Sequence, residues 1–138
     1  MNICAHKFKQ KQEKQFFLTI IIIGDSEKNC IFATEKEVTM NKVRITAVRQ
    51  TVYHDLMAQY ENPIEHTCDV NVGQQWISID GKQPEGMCPS AWQSMQPFVE
   101  SLARGEGNFY DGWMKNPMSA MISCNDGFRP FSFYLEVV

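Results

Sequence analysis

The stretch Cys88–Gly105 reads CPSAWQSMQPFVESLARG and predicts the main helix of the fold. Pro89 stands at the first helical position, where its missing N–H costs no hydrogen bond. Apolar residues follow at spacings of three to four, and this period gives a helix one face to bury. They are Trp92, Met95, Val99 and Leu102 or Ala103. We therefore predict a helix over Pro89–Ala103.

Two further features concern the course of this helix. Pro97 lies in its interior, where a proline removes a hydrogen bond and clashes with the preceding turn. A kink or a break is therefore expected at Pro97. Arg104-Gly105 ends the helix, because a cation suits the negative end of the helix dipole and glycine suits the residue after the cap.

Two strands and a short helix are predicted upstream of this segment. Lys42–Thr46 alternates apolar and polar residues, which is typical of a half-buried strand, and the alternation stops at Val48. His54–Tyr60 contains helix formers and is stopped by Asn62-Pro63, since proline disfavours helix in the residue before it. Gln74–Ile79 is a run of residues that favour β structure, and turn residues follow it. This run predicts the second strand.

Downstream, the sequence predicts a long loop and a pair of strands. Gly105–Asn116 is rich in glycine and aromatic residues and is expected to fold as a loop onto the body of the domain. Ser119–Cys124 and Pro130–Val138 predict two strands. Asn125-Asp126-Gly127 between them is a turn signal of the hairpin type.

These elements predict an α+β fold in which one main helix packs on a small mixed or antiparallel sheet. A partly closed small β-barrel with a helix is the alternative. The aromatic residues within the predicted strands and the main helix are expected in the core rather than on a ligand-binding surface. They are Trp76, Trp92, Phe98, Phe131 and Phe133.

Residues 1–39 are predicted to be a non-native upstream extension, expected to be disordered, and residues 40–138 a single α+β domain. Lys36-Glu37-Val38 can be encoded by AAG-GAG-GTN, a strong bacterial ribosome-binding sequence, and it lies just before Met40. A signal or anchor segment is one alternative, although the apolar run Phe16–Ile23 is too short to span a bilayer and lacks a small-residue cleavage site. A genuine cytosolic extension is the other.

Charge and cysteine usage exclude some function classes. The net charge is −3, and the basic residues after Met40 are scattered, so no stripe exists to follow a nucleic-acid backbone or an anionic membrane. We expect no nucleic-acid binding and no membrane insertion of residues 40–138. The five cysteines include no C-x-x-C pair, and three of them, an odd number, lie after Met40. A secreted disulfide framework would normally use an even set, so reduced thiols in a cytoplasmic protein are expected.

Cys88 is the first candidate for chemistry, because it falls at the predicted N-cap of the main helix. Unpaired N–H groups and the positive end of the helix dipole stabilise a thiolate at such a position. Cys88 is therefore the candidate catalytic residue. The alternative is that it serves only as a small buried apolar residue.

A second group of candidates lies around the predicted hairpin turn. Cys124 ends a strand just before the turn, so its thiol could meet Asp126 and Arg129, and an arginine there would favour an anionic partner such as a thiolate. Asp126 could instead only brace the turn by side-chain to backbone hydrogen bonds. Asp126, Arg129 and Trp92 are the candidate ligand-binding residues.

Metal binding is a third possibility. His66 and Cys68 are two positions apart in an irregular stretch, a spacing that can point both side chains at one metal ion. With Cys88 and Cys124 they would form a Cys₃ or Cys₃His set suited to zinc or iron. The four candidates are dispersed along the chain and lack the close pairs that make zinc-ribbon motifs specific.

Two stretches, Pro84–Trp92 (P-x-G-x-C-x-x-A-W) and Cys124–Phe133 (containing C-x-D-G-x-R-P), resemble the signatures of a family of short uncharacterised prokaryotic proteins that is frequent in anaerobes. Cys68 followed by Gly73–Trp76 resembles the third signature of this family. The resemblance covers nearly all of residues 40–138 and departs from the family pattern at Glu61–Thr67. It implies no reaction or ligand, but it directs attention to the same three cysteines.

Together these observations predict a small cytoplasmic accessory module that binds a metal ion or a small ligand near Cys88, Cys124 and Arg129. A thiol-dependent enzyme that uses Cys88 is the first alternative. A protein-interaction domain with structural cysteines is the second. No phosphate-binding loop, nucleophile elbow or dinucleotide fingerprint supports the common enzyme classes.

Overall fold

The order of the regular elements along the chain follows the pattern that the sequence predicts. The computed structural model describes residues 39–138, so the predictions about the upstream segment lie outside the described residues. The elements are β1 (Val43–Gln50), α1 (His54–Tyr60), β2 (Gln75–Ser78), α2 (Pro89–Ala103), β3 (Ser119–Ser123) and β4 (Phe131–Val137). Both helices begin and end at the predicted residues.

The four strands form one sheet in the order β2-β1-β4-β3, and every neighbouring pair is antiparallel. This arrangement confirms the α+β prediction with an antiparallel sheet. The alternative of a partly closed barrel is wrong, because β2 and β3 stand at opposite edges of the described sheet and do not pair with each other.

Strand β1 is longer than the alternating pattern predicts. It pairs with β4 in register from Val43↔Val137 to Ala47↔Phe133, and the register then shifts before Arg49↔Ser132. A shift of this kind is a β-bulge, in which one strand carries an extra residue. The bulge explains why the apolar and polar alternation stops at Val48 although the strand continues.

One face of the sheet packs against α2 and forms the core. Strand side chains on this face alternate with exposed or half-buried ones, as a pleated strand requires. The buried core residues of the strands are Val43, Ile45, Ala47, Trp76, Ala120, Phe131, Phe133 and Leu135. Those of α2 are Ala91, Trp92, Met95, Val99, Leu102 and Ala103, which are the predicted face and its neighbour Ala91.

Pro97 does not break α2, which runs from Pro89 to Ala103 as one helix. The prediction of a break is therefore wrong. Pro97 lies on the exposed side of the helix, and so does Gln93, the residue whose carbonyl loses its partner to the proline. Water can satisfy that carbonyl, so the loss of the hydrogen bond is tolerated.

The hairpin turn, the start of α2 and the segment after β1 meet at one end of the sheet. The Cys124 N–H donates to the Phe131 carbonyl over 3.0 Å and closes the turn at the base of the predicted hairpin. The Asn125 side chain donates to the Ser90 carbonyl over 3.2 Å and ties the turn to α2. The Tyr53 N–H donates to the Phe128 carbonyl over 2.8 Å. These contacts hold three separate segments together at the place where the candidate site lies.

Across residues 39–138, every helix is too short or too polar to cross a membrane.

Candidate functional site

A cavity of about 130 Å³ opens where the hairpin turn meets the first turn of α2. Its apolar wall consists of Val70, Ala91, Phe131 and Phe133. Its polar lining consists of Thr67, Cys68, Cys88, Ser90, Cys124, Asp126 and Arg129. The cavity therefore brings together all three cysteines of the domain and the two charged candidates from the hairpin turn.

The three thiols reach the cavity from three different parts of the chain. Cys68 lies in the irregular segment between α1 and β2, Cys88 immediately precedes α2, and Cys124 immediately follows β3. All three are free and half-buried. In the described part of the chain, no group of three or more His, Cys, Asp and Glu residues is spaced closely enough to hold a metal ion as it stands. The thiols thus share a cavity without forming a closed ligand cage.

Cys88 occupies the N-cap of α2, as the sequence predicts. Its side chain makes no capping hydrogen bond, while its carbonyl accepts from the Trp92 N–H over 2.9 Å. A cysteine here leaves N–H groups of the first helical turn without the side-chain acceptor that a serine or aspartate would supply. The thiol therefore stays available to the cavity at the positive end of the helix dipole.

Cys124 is held in place by the hairpin. Its sulfur accepts a hydrogen bond from the Phe131 N–H over 3.3 Å, and its own N–H bonds back to the Phe131 carbonyl. The turn thus fixes the position of this sulfur relative to β4.

Burial raises the pKa of the Cys68 thiol above its ordinary value of 9.0. The negative charge that Cys88, Cys124 and Asp69 can carry raises it further, and a hydrogen bond from the Val70 backbone partly opposes the rise. Cys68 therefore keeps its proton at neutral pH unless a cation enters the cavity.

Arg129 is nearly buried, with 10% of its side chain exposed, and it forms an ion pair with Glu61. Its Nη1 also lies 3.7 Å from Asp126 Oδ2. The hydrogen bond from the guanidinium to the Glu61 carboxylate raises the pKa of Arg129 above its already high ordinary value. The guanidinium remains charged and is balanced by two carboxylates.

Glu61 is the member of this site that the sequence does not single out. It lies 68 positions before its partner Arg129, directly after α1. No local spacing signals such a pair, because only the folded chain brings the two side chains together. Of the other residues that were not singled out, Thr67, Val70 and Ser90 line the cavity.

Asp126 braces the hairpin turn by side-chain to backbone hydrogen bonds, which is the alternative role that the sequence offers for this residue. Its Oδ1 accepts hydrogen bonds from the Phe128 N–H over 2.8 Å and from the Arg129 N–H over 3.1 Å. Its Oδ2 faces the Arg129 guanidinium. Both carboxylate oxygens therefore have partners within the turn.

Two predicted site residues do not line the cavity. His66 is exposed over 70% of its side chain, and its Nε2 lies 3.3 Å from Asp69 Oδ1. Trp92 is 7% exposed and belongs to the core cluster. The structure thus groups the three cysteines with Asp126 and Arg129, and it places His66 on the surface and Trp92 in the core.

Comparisons of this chain with protein-family models, with curated proteins and with solved structures give no match. The family resemblance of the two signature stretches stays a prediction.

Proposed function

We propose that this protein is a cytoplasmic accessory module that binds a thiophilic metal ion, zinc or iron(II), through Cys68, Cys88 and Cys124. The observation that supports the proposal is the meeting of three free thiols, from three distant segments, around one cavity. Thiolate sulfur is a preferred ligand of both zinc and iron in proteins. The thiols must stay reduced to bind, and a reducing cytoplasm provides that condition.

Metal binding requires the thiols to move closer together than they are in the metal-free chain. Cys68 is the ligand best able to move, since its backbone is irregular while Cys88 and Cys124 adjoin a helix and a strand. A bound cation would also displace the proton of Cys68, because metal binding and thiol deprotonation are coupled. The proposed ion therefore draws the segment between α1 and β2 onto the rest of the site.

The surroundings of the thiols favour binding over catalysis. A nucleophilic cysteine needs a base within hydrogen-bond reach. Within residues 39–138 the two histidines, His54 and His66, do not line the cavity, and Asp126 and Glu61 are engaged by backbone N–H groups and by Arg129. These contacts leave Cys88 without an evident proton acceptor among the described side chains.

The test is native mass spectrometry of the full chain, reduced and kept free of oxygen, after addition of zinc or iron(II). Cys68→Ser, Cys88→Ser and Cys124→Ser are each expected to weaken metal binding by at least about tenfold, because each removes one ligand. Cys30→Ser is the matched control, since Cys30 lies outside the described residues and is no part of the proposed site.

The proposal fails if the wild-type chain binds neither ion, or if the three serine variants bind as tightly as the control. A second readout is protection of the thiols from alkylation. Bound zinc is expected to slow the alkylation of Cys68, Cys88 and Cys124 together. Equal alkylation with and without zinc would leave the cysteines as core or isolated thiols.

A further inference from the structure

The loop after α2 carries aromatic side chains that the cysteine cavity does not use. Phe98 of α2 packs against Phe109 with ring centroids 5.0 Å apart and against Tyr110 with centroids 6.5 Å apart. Tyr110 in turn packs against Trp113 with centroids 5.3 Å apart. Phe98 and Phe109 are half-buried, whereas Tyr110 is 75% exposed and Trp113 is 44% exposed. Two inner rings therefore support two outer rings that solvent can reach.

The backbone of this loop holds Tyr110 in an unusual conformation. Asn108, Tyr110 and Asp111 have φ values of 54°, 50° and 52°, in the left-handed region that asparagine and aspartate tolerate but bulky residues rarely adopt. Burial of Tyr110 does not offset the strain, because this residue is 75% exposed. Strained residues of this kind cluster at ligand-binding sites. The Asn108 N–H donates to the Pro117 carbonyl over 2.7 Å and closes the loop, so the outer rings are positioned before a ligand binds.

The arrangement of the outer rings selects the shape and charge of a ligand. The planes of the Tyr110 and Trp113 rings meet at 76°. Parallel rings would form a slot for a flat group, whereas nearly perpendicular rings form a corner that suits a compact, rounded group. The face of an aromatic ring is the negative part of its quadrupole, so a group that lies over both faces is attracted when it is a cation. A methylated ammonium group has this shape and this charge.

The charges of the loop also favour a cation. Asp111 lies between the two outer rings along the chain. Among the residues that the structure describes, Glu106 pairs with Arg104, whereas Asp111 is in no ion pair. Lys115, two residues after Trp113, is the opposing charge, and the net charge of the whole chain is −3. The loop therefore offers a cation two aromatic faces and a carboxylate, and it offers an anion the single charge of Lys115.

We propose that Tyr110, Trp113 and Asp111 bind a small methylated ammonium compound, such as choline, from solution. The two rings attract the ammonium group by cation–π contacts, and the carboxylate adds the attraction of its charge. This site is separate from the thiols, because the loop follows the C-terminal end of α2 and Cys88 precedes the N-terminal end. Ligand binding at the loop therefore does not require a metal ion.

The test is a titration of the full chain with choline, followed by NMR through the indole N–H resonances of its three tryptophans. Trp76 and Trp92 are 8% and 7% exposed, so the resonance of Trp113 is expected to move most. The matched control ligand is the neutral alcohol in which a carbon atom replaces the nitrogen of choline. It has the same shape without the charge, so it is expected to bind at least about threefold more weakly.

Substitutions at Tyr110 separate the aromatic ring from its bulk. Tyr110→Phe keeps the ring and is expected to keep the affinity for choline within about twofold, whereas Tyr110→Leu lacks a ring face and is expected to lower it at least about threefold. Asp111→Asn is expected to lower the affinity about twofold, and Lys115→Gln is expected not to lower it. Tyr60→Leu is the matched control, since Tyr60 is 68% exposed but belongs to α1.

The outcomes decide for or against this site. A shift of Trp113 by choline that Tyr110→Leu weakens and Tyr60→Leu does not weaken supports it. Any of three results overturns it: no shift of Trp113, equal affinity for choline and the neutral alcohol, or wild-type affinity in a Tyr110→Leu chain. Unchanged resonances of the buried tryptophans show that each variant is folded.

A vesicle control distinguishes the free compound from a lipid headgroup. Sedimentation of the chain with phosphatidylcholine vesicles, without a response to free choline, would overturn the binding of a small molecule from solution. None of these results depends on metal binding by the thiols, so the failure of one proposal is distinguishable from the failure of the other.

Discussion

The inner face of strand β4 and the polar rim of the cavity, formed by Asp126 and Arg129 in the turn before β4, hold their side chains in different ways. On the inner face, Phe133 and Leu135 are fully buried and are held by apolar packing against α2. At the rim, Asp126 and Arg129 are held by hydrogen bonds within the turn and by the ion pair with Glu61. The first arrangement depends on buried area, and the second depends on specific polar partners.

This difference indicates that the polar side chains and the thiols of the site can be changed separately from the fold, whereas Phe131 and Phe133 belong to both the core and the cavity wall. The thiols are only partly buried and pack at the margin of the core cluster. Replacing a half-buried cysteine by serine removes little buried area, so variants of the site are expected to fold. Changes in the core are expected to cost stability whether or not they touch the site.

The largest effect is expected from Phe133→Ala, which removes the largest fully buried side chain. The free energy of unfolding is expected to fall by about 3–5 kcal/mol, from lost transfer energy and the void that remains. Met121→Ala is the control on the opposite face of the sheet, because Met121 is 38% exposed, and it should cost less than about 1 kcal/mol. Urea unfolding measures the stability of both variants. Similar decreases in the free energy of unfolding would contradict the view that packing on the inner face of the sheet stabilises the fold.

Gly107→Ala is expected to have the next largest effect. A Cβ at this position would collide with the Pro117 carbonyl and lie 2.7 Å from Met118 Sδ. The backbone must shift to admit it, which costs about 1–3 kcal/mol by analogy with overpacked cores. Gly127→Ala in the hairpin turn is the matched control, since a Cβ there meets nothing within 4 Å. Urea unfolding measures the midpoints of both variants. Equal midpoints would contradict the predicted steric conflict at Gly107.

The nearly buried ion pair between Arg129 and Glu61 is expected to contribute more to the free energy of unfolding than a more exposed ion pair does. Glu61→Gln leaves the nearly buried Arg129 without the charge of its closest partner. Glu136→Gln breaks the pair with Arg44, whose side chain is 38% exposed, and should cost at most about 1 kcal/mol. We expect Glu61→Gln to lower the urea midpoint further than Glu136→Gln does. The reverse order would mean that the rim pair contributes little to folding.

The smallest effect concerns the protonation of Cys68 in the metal-free protein. Its pKa is raised above 9.0, so at pH 8 it should react with iodoacetamide more slowly than in the urea-unfolded chain. The folded state keeps this proton to higher pH than the unfolded chain does. The stability from Cys68 is therefore present below pH 9 and is lost as pH rises through the folded pKa. Faster alkylation in the folded state would contradict the burial of this thiol.

The sequence by itself determined most of the local structure. The period of apolar residues and the position of Pro89 set the bounds of α2, and the turn residues after Cys124 predicted the hairpin. These signals act between residues that are close along the chain, which is why the pattern carries them. The exceptions were β1, which a bulge extends, and Pro97, which an exposed helix side accommodates. Both exceptions depend on the tertiary surroundings of the element: the pairing of β1 with β4 in the first case, and the exposure of one side of α2 in the second.

Tertiary structure alone decided which candidate residues share a site. The sequence offered His66 as a metal ligand beside the cysteines, and Trp92 both as a ligand-binding candidate and as a core residue. Only the packed chain places His66 on the surface and Trp92 in the core. The pair of Arg129 with Glu61 joins residues 68 positions apart. Such contacts depend on the order of strands in the sheet and on how α2 crosses it. Those arrangements result from the burial of the whole apolar face, and no single spacing along the chain encodes them.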